Sequence, residues 1–197
     1  MLAELVDYAV RRYHRGSHRR VAASFAAFGD GSAIMLPLDA LTEPDRIEIG
    51  RDVRVRAHAR LEVVRAVAGG EPGRVRIGDD VQIEGYFSVS AAESVTIGDG
   101  VLIGSNVAIR DHDHGIAPDR HRARQPLVAA PVEIGDFVWL SQNVVVLKGV
   151  TIGKNAVVGA NAVVTRSVVE GAIVAGVPAR QIGWIDGRPF HTGSGDG

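Results

Sequence analysis

The sequence predicts an all-β solenoid: short strands wound into stacked triangular coils, preceded by a short helical segment. Three observations carry this. A six-residue unit recurs that begins on Ile, Leu or Val and often continues with Gly: IGRDVR (49–54), IGDDVQ (77–82), IGDGVL (97–102), IGSNVA (103–108), IGDFVW (134–139) and IGKNAV (152–157). Over 134–169 six units follow one another without a gap, with Val or Ala at position five each time. The apolar content, 46% of 197 residues, is mostly Val, Ile and Ala with 5% aromatic residues, which suits thin β-branched layers.

Period six is a multiple of the strand period two, so positions one and five of a unit face the same side. A helix advances about 600° over six residues and would scatter them. Each unit therefore reads as a strand, and the Gly, Asp and Asn pairs as the bend after it. Three units close a coil of 18 residues, the spacing from Ile134 to Ile152. Ile97 to Ile134 spans 37 residues, one coil plus an excursion loop at about 115–131. The intervals 49–77 and 77–97 are 28 and 20 residues, so these coils carry smaller insertions. Coils of this kind bury their aliphatic rows on one another.

The ends differ from the coils. Residues 1–32 are expected to be helical: Leu2, Leu5, Val6, Ala9, Val10 and Tyr13 keep helical spacing, and 21–28 is a second short helix. Between them RRYHRGSHRR (11–20) carries five Arg and two His, a solvated face or else an anion or subunit contact. Residues 33–47 read as an irregular opening coil, and 33–182 as the coil domain. In 183–197, QIGWIDGRPF running in from 181 suggests a hairpin around Asp186 and Gly187, followed by a disordered tail.

Composition excludes several classes. A net charge of −1 gives nothing for nucleic acid or an acidic membrane to hold. The absence of Cys rules out a disulfide framework and thiol catalysis, and suits a reducing compartment. No stretch approaches the roughly 18 apolar residues of a membrane span, and the first residues lack the pattern of a leader peptide. A cytoplasmic protein is expected.

The repeats, together with VWLSQNVVVLKGVTIGKNAVVGANAVVTRSVVEGAIVAGVPARQI (138–182), resemble the hexapeptide-repeat acyltransferases. The branch most similar is the sugar O-acetyltransferases of the maltose, galactoside and polysaccharide type. The resemblance covers about 45–182. It implies a left-handed parallel β-helix, a homotrimer with active sites between subunits, acetyl-CoA as co-substrate and no metal.

The resemblance also points to residues. The stretch RDHDHGI ends a regular coil just before the excursion. His114-Gly115-Ile116 matches the family's catalytic pattern, and His114 falls 17 residues after Ile97 as it does there, so His114 rather than His112 is the expected general base. Imidazole suits that task, because its ordinary pKa of about 6.5 lets it take an alcohol proton near neutrality. Glu84 stands where the galactoside and maltose enzymes have Asn, and either contacts the acceptor or holds the histidine. Tyr86 lines the acceptor site or packs, and Asp111 orients a sugar hydroxyl or caps the turn. Trp139, Gln142, Ala160, Thr165, Arg166 and Arg180 match coenzyme A positions, the small Ala160 leaving room for the pantetheine arm and the two Arg meeting phosphate. Val177 replaces an Asn common in the family.

The expected acceptor is a sugar or glycan precursor. Alternatives are a nucleotide amino sugar acetylated on nitrogen, a trimeric scaffold without catalysis, and a γ-class carbonic anhydrase with His112, His114 and His121 on a metal and His58 in reserve. Two of those His alternate on one strand, and GVPAR has no role in a hydratase.

Overall fold

In a computed structural model of the chain, residues 20–67 and 70–188 are described. The coils form a left-handed parallel β-helix of triangular section. Its first sheet stacks Ala27–Phe28, Ile47–Ile49, Val75–Ile77, Val95–Ile97, Val132–Ile134 and Thr151–Ile152. The second and third sheets have eight and six strands in the same coil-by-coil order, apart from the last strand of the second.

Parallel pairing puts equivalent repeat positions directly over one another. Ile49, Ile77, Ile97, Ile134 and Ile152 form one column through the first sheet. Val55, Ile83, Ile103, Leu140, Val158 and Val174 form the column of the second. Leu41, Leu61, Val89, Ile109, Val146 and Val164 form the column of the third. Most of these side chains are fully buried in one continuous core. Each such burial contributes about 1.5–3 kcal/mol before chain entropy is set against it.

The Gly at position two is a close-approach residue. A Cβ on Gly78 would stand 2.8 Å from the Gly98 carbonyl carbon, and one on Gly98 would stand 2.9 Å from that of Gly135. At the corner between the second and third sheets the chain turns through a left-handed residue in five successive coils. His58, Tyr86, Asn106, Asn143 and Asn161 occupy this corner with φ between 59° and 65°. The three Asn are the residue type that tolerates it, and they join side chain to side chain at 2.9 and 3.0 Å.

The ends correct the sequence reading. Most of the expected N-terminal helix, with the basic stretch but for Arg20, lies outside the described residues. Residues 20–22 are helical, but Ala27–Phe28 is a strand rather than the end of a second helix. The Ala26 N–H donates to the Ile47 carbonyl and the Gly29 N–H to that of Ile49, so the sheet captures these residues, while Phe25 and Phe28 pack together over the open end of the core. At the other end the hairpin does not turn at Asp186 and Gly187. Ala172–Ala175 pairs antiparallel with Arg180–Trp184, and the turn is 176–179, within GVPAR. The Ala172–Ala175 strand still extends the second-sheet column, and the returning strand covers its edge.

Candidate active site

The excursion is an ordered β-hairpin at the corner between the third and first sheets. His112–His114 pairs antiparallel with Leu127–Ala129, with His112 opposite Ala129 and His114 opposite Leu127. The chain leaves and re-enters the coil at a neck where the Asp111 carbonyl accepts the Ala130 N–H at 2.8 Å. The Leu127 N–H donates to the Ala66 carbonyl, so the returning strand also leans on the 64–73 loop of an earlier coil.

Asp111 anchors the neck. Its residue is 0% exposed, and its carboxylate accepts the N–H groups of Ala92 and Glu93, each at 2.7 Å. A third bond, 2.8 Å, joins it to Nδ1 of His112. Burial pushes this carboxyl up, but the bonds from His112, Ala92 and Glu93 together outweigh it and hold the group below its ordinary value. The carboxylate only accepts, so Nδ1 of His112 is the donor in the bond between them. With both oxygens used and no exposure, Asp111 does not present itself to a sugar hydroxyl. That half of the expectation is corrected: Asp111 is a positioning residue.

Along the strand the side chains alternate. Asp113 pairs with Lys148 of the next coil. His112 is 12% exposed at its side chain. His114 is exposed, and its ring has no hydrogen-bond or ion-pair partner among the described residues. One rung further out the Gly115 N–H donates to the Pro126 carbonyl. Beyond lies an open cavity of about 280 Å3 lined by Arg120, His121, Arg124, Gln125 and Pro126.

The other predicted residues do not gather around His114 within one chain. Glu84 and Tyr86 belong to the corner between the second and third sheets. Glu84 lies 3.6 Å from the Arg56 guanidinium, so it does not hold the histidine of its own chain. Tyr86 is 60% exposed and stacks on His58, ring centroids 4.9 Å apart, while His58 bonds Asp39 at 3.0 Å. Gln142 and Ala160 sit at this same corner, and Trp139 faces outward from the second sheet. Thr165 and Arg166 follow the last strand of the third sheet, and Arg180 opens the terminal antiparallel strand. Sequence reasoning missed the Asp113–Lys148 pair. Among the described residues no group of three or more His, Cys, Asp or Glu is placed to share a metal ion. The trio His112, His114 and His121 does not converge in one chain.

Comparisons with known proteins bear on the repeats and the fold. Residues 131–166 match the bacterial transferase hexapeptide family (six repeats), and 88–117 match the hexapeptide repeat of succinyl-transferase. The gap between the two matches, 118–130, takes in most of the outer loop and the returning strand of the hairpin. Galactoside O-acetyltransferase of Escherichia coli (strain K12) is 41% identical over 100 residues, 50% of this chain and 48% of that one. Nodulation protein L of Rhizobium meliloti (strain 1021) is 52% identical over 89 residues, 45% of this chain and 48% of that one. The chain spans about half the length of the curated relatives it matches. A hexapeptide-repeat acetyltransferase from Vibrio cholerae, solved with acetyl coenzyme A, superposes with a TM-score of 0.57 at 25% identity, covering 85% of this chain and 75% of that one.

Proposed function

We propose that this chain, which carries the hexapeptide repeat of the bacterial transferases, moves an acetyl group from acetyl-CoA to a hydroxyl of a sugar or glycan precursor. The observation that carries the reading is the break in the repeats. A regular solenoid departs from its period to hold out a hairpin with an exposed imidazole that has no partner among the described residues. The similarity to a galactoside O-acetyltransferase and to an acetyltransferase that binds acetyl coenzyme A supports the reaction class.

In this reading His114 is the base. Its ring takes the acceptor's hydroxyl proton as the oxygen attacks the thioester carbonyl. The tetrahedral adduct then collapses, the C–S bond breaks, and the imidazolium returns the proton to the departing thiolate. Such a base contributes on the order of 10²–10⁴-fold. His112 is less suited to meet an acceptor, because Asp111 holds it and little of it is exposed. Trp139, Gln142, Ala160, Thr165, Arg166 and Arg180 are assigned to coenzyme A. Trp139 is 47% exposed on a face it shares with Leu102, which suits a ligand or a neighbouring chain.

The working molecule is a homotrimer in this proposal, with Glu84 and Tyr86 of one chain completing the site at His114 of the next. The coil domain, 33–182, carries the chemistry between the 1–32 segment and the 183–197 tail. The proposed reaction is cytoplasmic, drawing on the acetyl-CoA of that compartment. No helix among the described residues is long and apolar enough to cross a membrane.

The test is thiol release from acetyl-CoA across a panel of sugar and glycan acceptors. The wild type is expected to turn over with at least one, and His114→Ala to lose about 10²-fold or more with unchanged melting. Full activity in that variant would remove His114 from the mechanism. No turnover with any acceptor would favour a non-catalytic scaffold.

A further inference from the structure

The hairpin carries more than the imidazole. Its outer loop, 115–126, reads GIAPDRHRARQP: three Arg and one His against a single acid, Asp119. That concentration of charge stands out in a chain of net charge −1. Three of these cationic-type residues, Arg120, His121 and Arg124, line the open cavity of about 280 Å3 with Gln125 and Pro126. Among the described residues neither Arg120 nor Arg124 has a carboxylate partner, and Asp119 pairs with neither. Exposed arginines usually need no explanation. These are held in a shaped loop.

Gln125 closes that loop from inside. Its Oε1 accepts the Ala117 N–H at 2.9 Å, and its Nε2 reaches the carbonyls of Ala117 and Arg120, each at 3.2 Å. Arg122 donates to the Ala117 carbonyl, and a short 3₁₀ turn, Arg122–Arg124, sets the last arginine. One charge is spent on building the loop, and the other two face the cavity. Guanidinium groups on a fixed frame suit the oxygens of a phosphate, because each offers paired donors and stays charged.

We infer that this cavity binds a phosphate or pyrophosphate group borne by the acceptor. The placement argues for the acceptor rather than the donor. Pro126, on the cavity wall, bonds the residue next to His114, so the anion site lies one rung from the proposed base. The returning strand leans toward Ala66 in an earlier coil, whereas the arginines assigned to coenzyme A, Arg166 and Arg180, belong to the last coils. The inference deepens the proposed reaction and rests on it for the acceptor's identity: a phosphorylated or diphosphate-linked sugar. The site itself does not depend on turnover.

Two measurements test it. Inorganic pyrophosphate is titrated by calorimetry into wild-type protein, the double variant Arg120→Gln/Arg124→Gln, and the control Lys154→Gln from a different corner of the prism. Wild type and control are expected to bind, the double variant at least ten-fold more weakly, and added salt to weaken binding. Equal binding by the double variant, or none by the wild type, overturns the site even if transfer activity is found. Steady-state kinetics then separate the source of the phosphate. The double variant is expected to raise KM for a phosphorylated sugar at least ten-fold, with little change for its unphosphorylated counterpart. If KM for acetyl-CoA rises instead, the anion is the donor's and the acceptor assignment fails; acetyl-dephospho-coenzyme A then tells its 3′-phosphate (KM unchanged) from its pyrophosphate (KM raised as well). If wild type binds pyrophosphate but transfers acetyl to nothing, the reaction fails and the anion site stands.

Discussion

Asp111 sits where the repeat would place an aliphatic side chain or a solvated turn, and it is neither. It is a buried charged group, tolerated because three donors bind it. Replacing it by Asn sets an amide N–H₂ against at least one of those donors. The expected cost is about 1–3 kcal/mol, read from chemical denaturation. The pH dependence follows from its depressed carboxyl. The folded-state value lies below the ordinary aspartate value of about 3.9, so the contribution is complete above that value and is lost as pH falls through the folded one. Between pH 6 and pH 3 the wild type is therefore expected to lose more stability than Asp111→Asn. Parallel curves would remove Asp111 from the acid response. Nothing in RDHDHG distinguishes this aspartate from a turn residue, because its burial depends on Ala92 and Glu93 in the previous coil.

The coils were legible because one short-range rule serves every level: each Ile or Val that begins a unit also finds its stacking partner. Leu140, with Ile103 and Val158 on either side, shows what the rule is worth. Leu140→Ala is expected to cost about 2–5 kcal/mol, measured the same way. The hairpin was legible only as an excess of residues between Ile97 and Ile134. Its antiparallel pairing, HDH against LVA, has no apolar alternation to announce it. The C-terminal turn was misplaced because Asp186-Gly187 has the chemistry of a tight turn, yet strand Ala172–Ala175 first needs a partner for its free edge. Lys148 belongs to a regular coil, but its pair with Asp113 ties the outgoing strand of the hairpin to that coil. Lys148→Met is expected to lower kcat about ten-fold by loosening the proposed base, while leaving the melting temperature within a degree or two. An unchanged kcat would show that the hairpin holds its place without it.

At the scale of the whole molecule, one chain cannot complete the site proposed here. Glu84 and Tyr86 stand at one corner of the prism and the hairpin leaves from the next. A side of about six residues at roughly 3.3 Å each separates them by about 15–20 Å, beyond the reach of a shared hydroxyl. A rotationally symmetric trimer removes the difficulty, because each interface joins one corner of a chain to the other corner of its neighbour. The left-handed tyrosine fits that role. Tyr86 and His58 keep bulky, stacked side chains where Asn106, Asn143 and Asn161 fill the same corner, and strain of that kind persists where something other than folding selects it. The consequence is measurable by mixing. His114→Ala and Tyr86→Ala are each expected to be weak enzymes when pure. Equal amounts, unfolded and reassembled together, form interfaces in four combinations, of which one has both native residues, so about a quarter of wild-type activity should return. A site built within a single chain gives only the average of the two parents. That result, or a fully active Tyr86→Ala, would leave the trimer without a catalytic role.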